Sequence, residues 1–266
     1  MPPNPTAQRN HDEFFPGHVS TLAVTDPELI EVFDNFAFDE VLRDSKLDQK
    51  TRLMVQLAAM IASQAVTEYR AMLGAALNIG VTPVEVKEVL YQAVPYLGIA
   101  KVFDFLHAAN EVLTERGIKL PLPGQSTTTP ATRAERGLAV EKQIVGNEVV
   151  EKLYANAPAD QQHIQRFLSA NCFGDHLTRG GIDIRTRELL TFSMLVALGG
   201  CEPQVKGHVA ANLHVGNDRA RLIDVLTQLL PFIGYPRTLN GLRMVDEIAA
   251  PASATDVSTP SAKEMR

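Results

Sequence analysis

Only two cysteines, Cys172 and Cys201, occur in 266 residues. That is too few for a disulfide framework and points to a reducing, cytoplasmic setting. No stretch approaches the roughly 20 uninterrupted apolar residues of a membrane span, so no membrane association is expected. Residues 1–18 are polar and proline-bearing and lack the apolar centre of a secretory signal. There is no Lys/Arg block and the formal net charge is −6, which argues against nucleic-acid binding and makes the acidic balance a matter of solubility. No Gly-rich phosphate loop, serine nucleophile elbow or dinucleotide fingerprint is present. His176, His208 and His214 do not form a zinc spacing. Neither a cofactor nor a metal is therefore expected.

Apolar residues make up 45% of the chain, enough for a sizeable core. Low-order sequence is expected at residues 1–18, in the Pro/Ser/Ala/Thr-rich tail 251–266, and in a Pro/Thr-rich linker at 119–133. The linker separates a first unit, 19–118, from a second, 134–250. These units repeat each other. FAFDEVLRDSKLDQKTRLMVQLAAMIA begins at Phe36 and NCFGDHLTRGGIDIRTRELLTFSMLVA at Asn171. Phe38 matches Phe173, Asp48 matches Asp183, and Thr51-Arg52 matches Thr186-Arg187. After one inserted residue near Gly199-Gly200, Ala76 matches Asn212, Gly80 matches Gly216, and Pro95-Tyr96-Leu97-Gly98 matches Pro231-Phe232-Ile233-Gly234.

The periodicity is helical. Leu189, Leu190, Phe192, Leu195 and Val196 form a wide apolar stripe. Thr82, Pro83 and Glu85 read as a capping box with proline at the first helical position. Gly80 and Gly216 read as helix stops, and no convincing alternating strand occurs. The fold class is all-α: two tandem helical bundles, side by side, packed as a pseudo-dimer. Two independent units on a tether are the alternative, disfavoured by the short linker.

The second unit carries the chemistry-bearing residues. Cys201 falls at the start of a helix opened by Pro203, where the macrodipole favours a thiolate. Gln204 and His208 follow on the same face. Glu188, on the preceding helix, can reach His208 if the two helices are antiparallel neighbours, and would orient the imidazole or share its proton. Arg52 and Arg187 recur in both units, which favours a structural role. Cys172 reads as a small buried residue.

The TREL pattern, apolar run, Cys201, His208, Gly216 and LPFIGYP together resemble the carboxymuconolactone decarboxylase family, which includes alkyl hydroperoxidase D-like proteins. The resemblance covers about 36–112 and 135–247. It implies a helical bundle in ring-like homo-oligomers, with a trimer favoured for a fused pair. Carried over from the peroxidase branch, the glutamate falls on Glu188, the first cysteine on Cys201 and the histidine on His208, while Gln204 replaces the second cysteine. From the decarboxylase branch, Gln204 replaces a glutamate. The first unit has Glu68 at that position, Met72 in place of His208, and Leu53 in place of Glu188.

The expected activity is cofactor-free acid–base chemistry, decarboxylation or related, on a small organic acid or lactone. His208 would donate the proton, Gln204 would bind the enolate oxygen, Glu188 would orient His208, and Cys201 would line the pocket. Two other readings stand beside it: a thiol-dependent peroxidase using Cys201, and a non-enzymatic oligomeric scaffold. A composite site joining Glu68 to His208 across the pseudo-dimer is a further option.

Overall fold

The computed structural model describes residues 3–18 and 20–250, and among them are helices but no β-strand. The N-terminal segment corrects an expectation. Pro5–Phe14 forms a helix, α1, rather than a disordered end. The Asn4 side chain caps it by accepting from the Thr6 and Ala7 amides at 2.9 Å. Asn10 donates to the Phe38 carbonyl, and Phe14 is buried. Local composition reads as polar because only Ala7 and Phe14 face the core, and that contact is tertiary. The tail 251–266 lies outside the described residues.

The first repeat continues with α2 (Pro27–Asn35), a π-helical stretch (Phe36–Glu40), α3 (Gln49–Ser63), α4 (Val66–Asn78), α5 (Pro83–Leu97) and α6 (Ile99–Glu115). Asp48 caps α3 by accepting from the Thr51 amide, and the Thr82–Glu85 capping box with Pro83 opens α5. The second repeat has α7 (Arg133–Val145), α8 (Asn147–Asn156), α9 (Gln162–Phe167), a longer π-helical stretch (Leu168–Leu177), α10 (Ile184–Leu198), α11 (Glu202–His214) and α12 (Arg219–Ile248). Asp183 caps α10 as Asp48 caps α3. Gly234, at φ 75°, breaks α12 between Pro231 and Pro236.

The segment before α7 is irregular but tied down. Gly180 N–H donates to the Gln125 carbonyl, and the Thr127 and Thr128 hydroxyls donate to the Thr178 and Gly174 carbonyls. Gly137 of α7 lies directly on Gly174 of the π-helical stretch. A β-carbon there would meet backbone, with Gly174 N only 2.7 Å away.

Residues 51–62 of α3 and 187–197 of α10 are buried on every face. A helix enclosed on all sides belongs at the centre of a core, and these two pack on each other. The outer helices cross over: α5 of the first repeat packs on α10, and α12 of the second on α3. Gln92 donates to the Arg187 carbonyl and the Thr191 hydroxyl, while Gln56 donates to the Gln228 carbonyl. One apolar core runs through both repeats. The two bundles thus pack as the expected pseudo-dimer, interlocked through these helices, as they should be if each half lacks a complete core of its own.

Candidate active site

Glu188 stands on α10, one turn inside its capped start, and His208 stands on α11. The Nδ1 of His208 is 2.8 Å from Glu188 Oε2, so Nδ1–H donates to the carboxylate. Glu188 is fully buried, while the imidazole retains 18% exposure. Its Nε2 has no hydrogen-bond partner among the described residues and is the atom left to meet a ligand. Asn212, one turn after His208, fixes the pair. Its amide donates to the Glu188 carbonyl at 3.1 Å and to the His208 carbonyl at 2.7 Å, stapling α11 to α10. The first repeat has Ala76 at this position and no pair to hold.

The other half of the site comes from the first repeat. Glu88, Gln92 and Tyr96 recur every four residues on α5 and face α10. The Tyr96 ring lies edge-on to His208, with centroids 5.5 Å apart at 78°. Its hydroxyl is buried beside the Thr191 hydroxyl and the Cys172 thiol, and Glu188 Oε1 is buried without a hydrogen bond. Burial, reinforced by the neighbouring Cys172 and Glu188, lifts the Tyr96 hydroxyl well above its ordinary range. Burial likewise pushes the Cys172 thiol up to about 12, with Tyr96 partly offsetting this and Glu188 and Glu141 adding to it. A buried carboxylate with a spare oxygen beside a partly exposed imidazole is the arrangement of an acid–base pair.

Further along α5, Glu88 anchors the repeats together. It accepts from Arg179 Nε and Nη2 at 2.9–3.0 Å and from Arg187 Nη2 at 3.0 Å. Arg187, with no exposed surface, also donates to Gln92 Oε1 and to the Arg179 and Gly180 carbonyls. Arg52, its counterpart, instead sits 4.2 Å over the Phe14 ring, and burial lowers its pKa to about 10. Both arginines serve packing.

Three sequence expectations need correction. Cys201 is the cap residue of α11, but its Sγ donates to the Leu195 carbonyl at 3.3 Å. Burial first, and the nearby Glu202 second, raise its pKa, so the dipole does not produce a thiolate. Gln204 is exposed rather than turned inward with His208. Glu68 does not meet His208: it borders a different cavity, with Met72 and Phe232. The structure brings together Glu188 and His208, and adds Tyr96 and Asn212, which sequence reasoning left aside. The repeat alignment did hold a signal for Tyr96: its hydroxyl is missing from Phe232, and by the crossover it lands in the repeat that keeps the histidine. Among the described residues no group of three His, Cys, Asp or Glu is placed to hold a metal ion, and no helix is long and apolar enough to cross a membrane.

Comparison with known proteins agrees with the repeat. The model of the carboxymuconolactone decarboxylase family matches residues 27–111 and again 162–247, more than half of the chain. The 4-carboxymuconolactone decarboxylase of Acinetobacter baylyi is 27% identical over 116 residues, 44% of this chain and 86% of that protein. A crystal structure of a candidate gamma-carboxymuconolactone decarboxylase subunit from Burkholderia xenovorans LB400 superposes with a TM-score of 0.52 at 22% identity. That match spans 92% of this chain and 98% of the other.

Proposed function

The chain belongs to the carboxymuconolactone decarboxylase family, and from that premise we propose that its second repeat performs cofactor-free acid–base chemistry on a small organic acid or lactone. The supporting observation is the His208–Glu188 pair, 2.8 Å apart with the carboxylate fully buried. Decarboxylation of a conjugated lactone leaves its electron pair as an enolate on the substrate itself, so the protein has only to hold the acid and return a proton. Nδ1, tied to Glu188, fixes the ring. Nε2 is then the atom that delivers the proton to the carbon, and Glu188 balances the charge of the imidazolium before transfer. The Tyr96 hydroxyl is the group available to donate to a substrate oxygen, a role that the exposed Gln204 is not placed to fill.

The raised Cys201 thiol, spent on a backbone carbonyl, gives no support to a peroxidase. The test is CO₂ release and ultraviolet loss of a 4-carboxymuconolactone-type substrate by the native protein and His208→Ala. Native turnover lost in the variant is the expected result, and turnover that persists in His208→Ala refutes the assignment.

We also propose self-association. Ile99 and Phe103 on α6 are exposed, and so are Tyr235 and Leu239 at the equivalent places beyond the break in α12. Apolar residues left outside at matched positions in both repeats fit contacts between copies of this chain.

A further inference from the structure

In the first repeat, a cavity of about 390 Å³ occupies the position equivalent to the Glu188–His208 site. Met72 stands there for His208, and Phe232 of the second repeat stands for Tyr96. The acid–base pair is gone, since Leu53 replaces Glu188 and is buried, and an open cavity lies beside Met72. Four phenylalanines wall it: Phe15, Phe33, Phe38 and Phe232. They meet edge to face, Phe33 with Phe38 at 6.3 Å and with Phe232 at 6.0 Å, and Phe15 with Phe38 at 6.1 Å, so ring faces point in several directions.

Two carboxylates line the same cavity, Asp34 from α2 and Glu68 from α4, together with His11 and His18, and no lysine or arginine among the described residues does. Neither carboxylate forms an ion pair or hydrogen bond with another described residue. Crowding by the protein pushes both upward from their ordinary values, with His11 pulling Asp34 back and His18 pulling Glu68 back. Asp34 is half-buried, and a carboxylate in such a setting gains from a positive charge beside it, while the exposed Glu68 offers a second negative charge to the same ligand. Aromatic faces attract a positive charge too.

We propose that this first-repeat cavity binds a small organic cation, an ammonium group on an apolar body, held by the phenylalanine walls with its charge towards Asp34 and Glu68. A cavity of this size accommodates a ligand of roughly ten non-hydrogen atoms. An organic anion, the substrate class proposed for the second repeat, would meet two like charges here. The cation site therefore stands independently of the lactone chemistry.

The test is calorimetric titration of the full chain at pH 8, above the ordinary imidazole range, with benzyltrimethylammonium, benzyl alcohol and phenylacetate. Saturable one-to-one binding of the cation is expected, about tenfold or more tighter than the alcohol, with phenylacetate weakest. Asp34→Asn and Glu68→Gln should each weaken the cation severalfold and together abolish its advantage. Ala71→Trp, which fills the cavity lining, should block binding, and His208→Ala should leave it intact. Melting temperatures measured in parallel show that each variant is folded. Equal or tighter binding of phenylacetate or benzyl alcohol overturns the proposal. So does a cation preference that survives the double carboxamide variant, loss of binding in His208→Ala, or no saturable heat with the cation.

Discussion

Replacing a buried glutamate by glutamine should have opposite consequences at Glu188 and at Glu88, and the contrast separates a reactive carboxylate from a structural one. Glu88 accepts four charge-assisted hydrogen bonds from two guanidinium groups, one of them wholly buried. Glu88→Gln leaves Arg187 and Arg179 without a counter-charge. Breaking a buried pair from one side costs about 3–5 kcal/mol, or a fall of roughly 6–20 °C in melting temperature for a chain of this size. Glu188 is as deeply buried, but only Oε2 has a partner while Oε1 has none. Its charge is poorly compensated. Glu188→Gln keeps an acceptor for His208 Nδ1–H, gives up about 1 kcal/mol of charge assistance, and relieves a desolvation penalty of several kcal/mol. The melting temperature should hold or rise by a few degrees. In the proposed reaction the lost charge no longer balances the imidazolium, so kcat should fall about 10- to 100-fold, the equivalent of roughly 1.4–2.7 kcal/mol. Thermal unfolding of both variants, with turnover of the lactone, provides the assay. A Glu188→Gln protein destabilised as severely as Glu88→Gln, or one with native kcat, would refute the argument.

Three further outcomes follow from the packing. Cys201 should react slowly with a disulfide reagent at pH 7 and faster as pH rises past the ordinary thiol range, because burial and Glu202 disfavour its anion. Cys172, raised to about 12, should stay unlabelled until the protein unfolds, and rapid labelling of either at pH 7 contradicts this. Gly137→Ala places a methyl group against the backbone of Ser169 and Gly174 and should destabilise by at least about 1–3 kcal/mol, read from denaturant midpoints. If the exposed apolar residues of α6 and α12 join copies of the chain, light scattering should return three times the 29.1 kDa chain mass. Phe103→Glu with Leu239→Glu should reduce it, whereas a native monomer excludes the assembly.

Sequence alone determined the helical class, the doubled unit and the capped start of α5. Each of these is a local matter: apolar spacing, a Thr cap with its glutamate three residues on, and proline at the first helical position. The Asp48 and Asp183 caps of α3 and α10 emerged only from the structure. Sequence also singled out Glu188 and His208, since a carboxylate and an imidazole present in one copy and replaced by Leu53 and Met72 in the other stand out once the copies are aligned. Tertiary structure alone decided what surrounds them. Tyr96 reaches His208 because α5 crosses onto the other repeat, a choice set by which helices bury one another and not by neighbours in the chain. Cys201 is not activated because the depth of its seat and a nearby carboxylate outweigh the helix dipole. Residues 5–14 are ordered because Phe14 finds a core more than twenty residues away in sequence, and Glu68 faces a walled cavity instead of the histidine because burial, not local sequence, places it. Local rules fix which helices form. Burial, which depends on the whole chain, fixes which side chains meet.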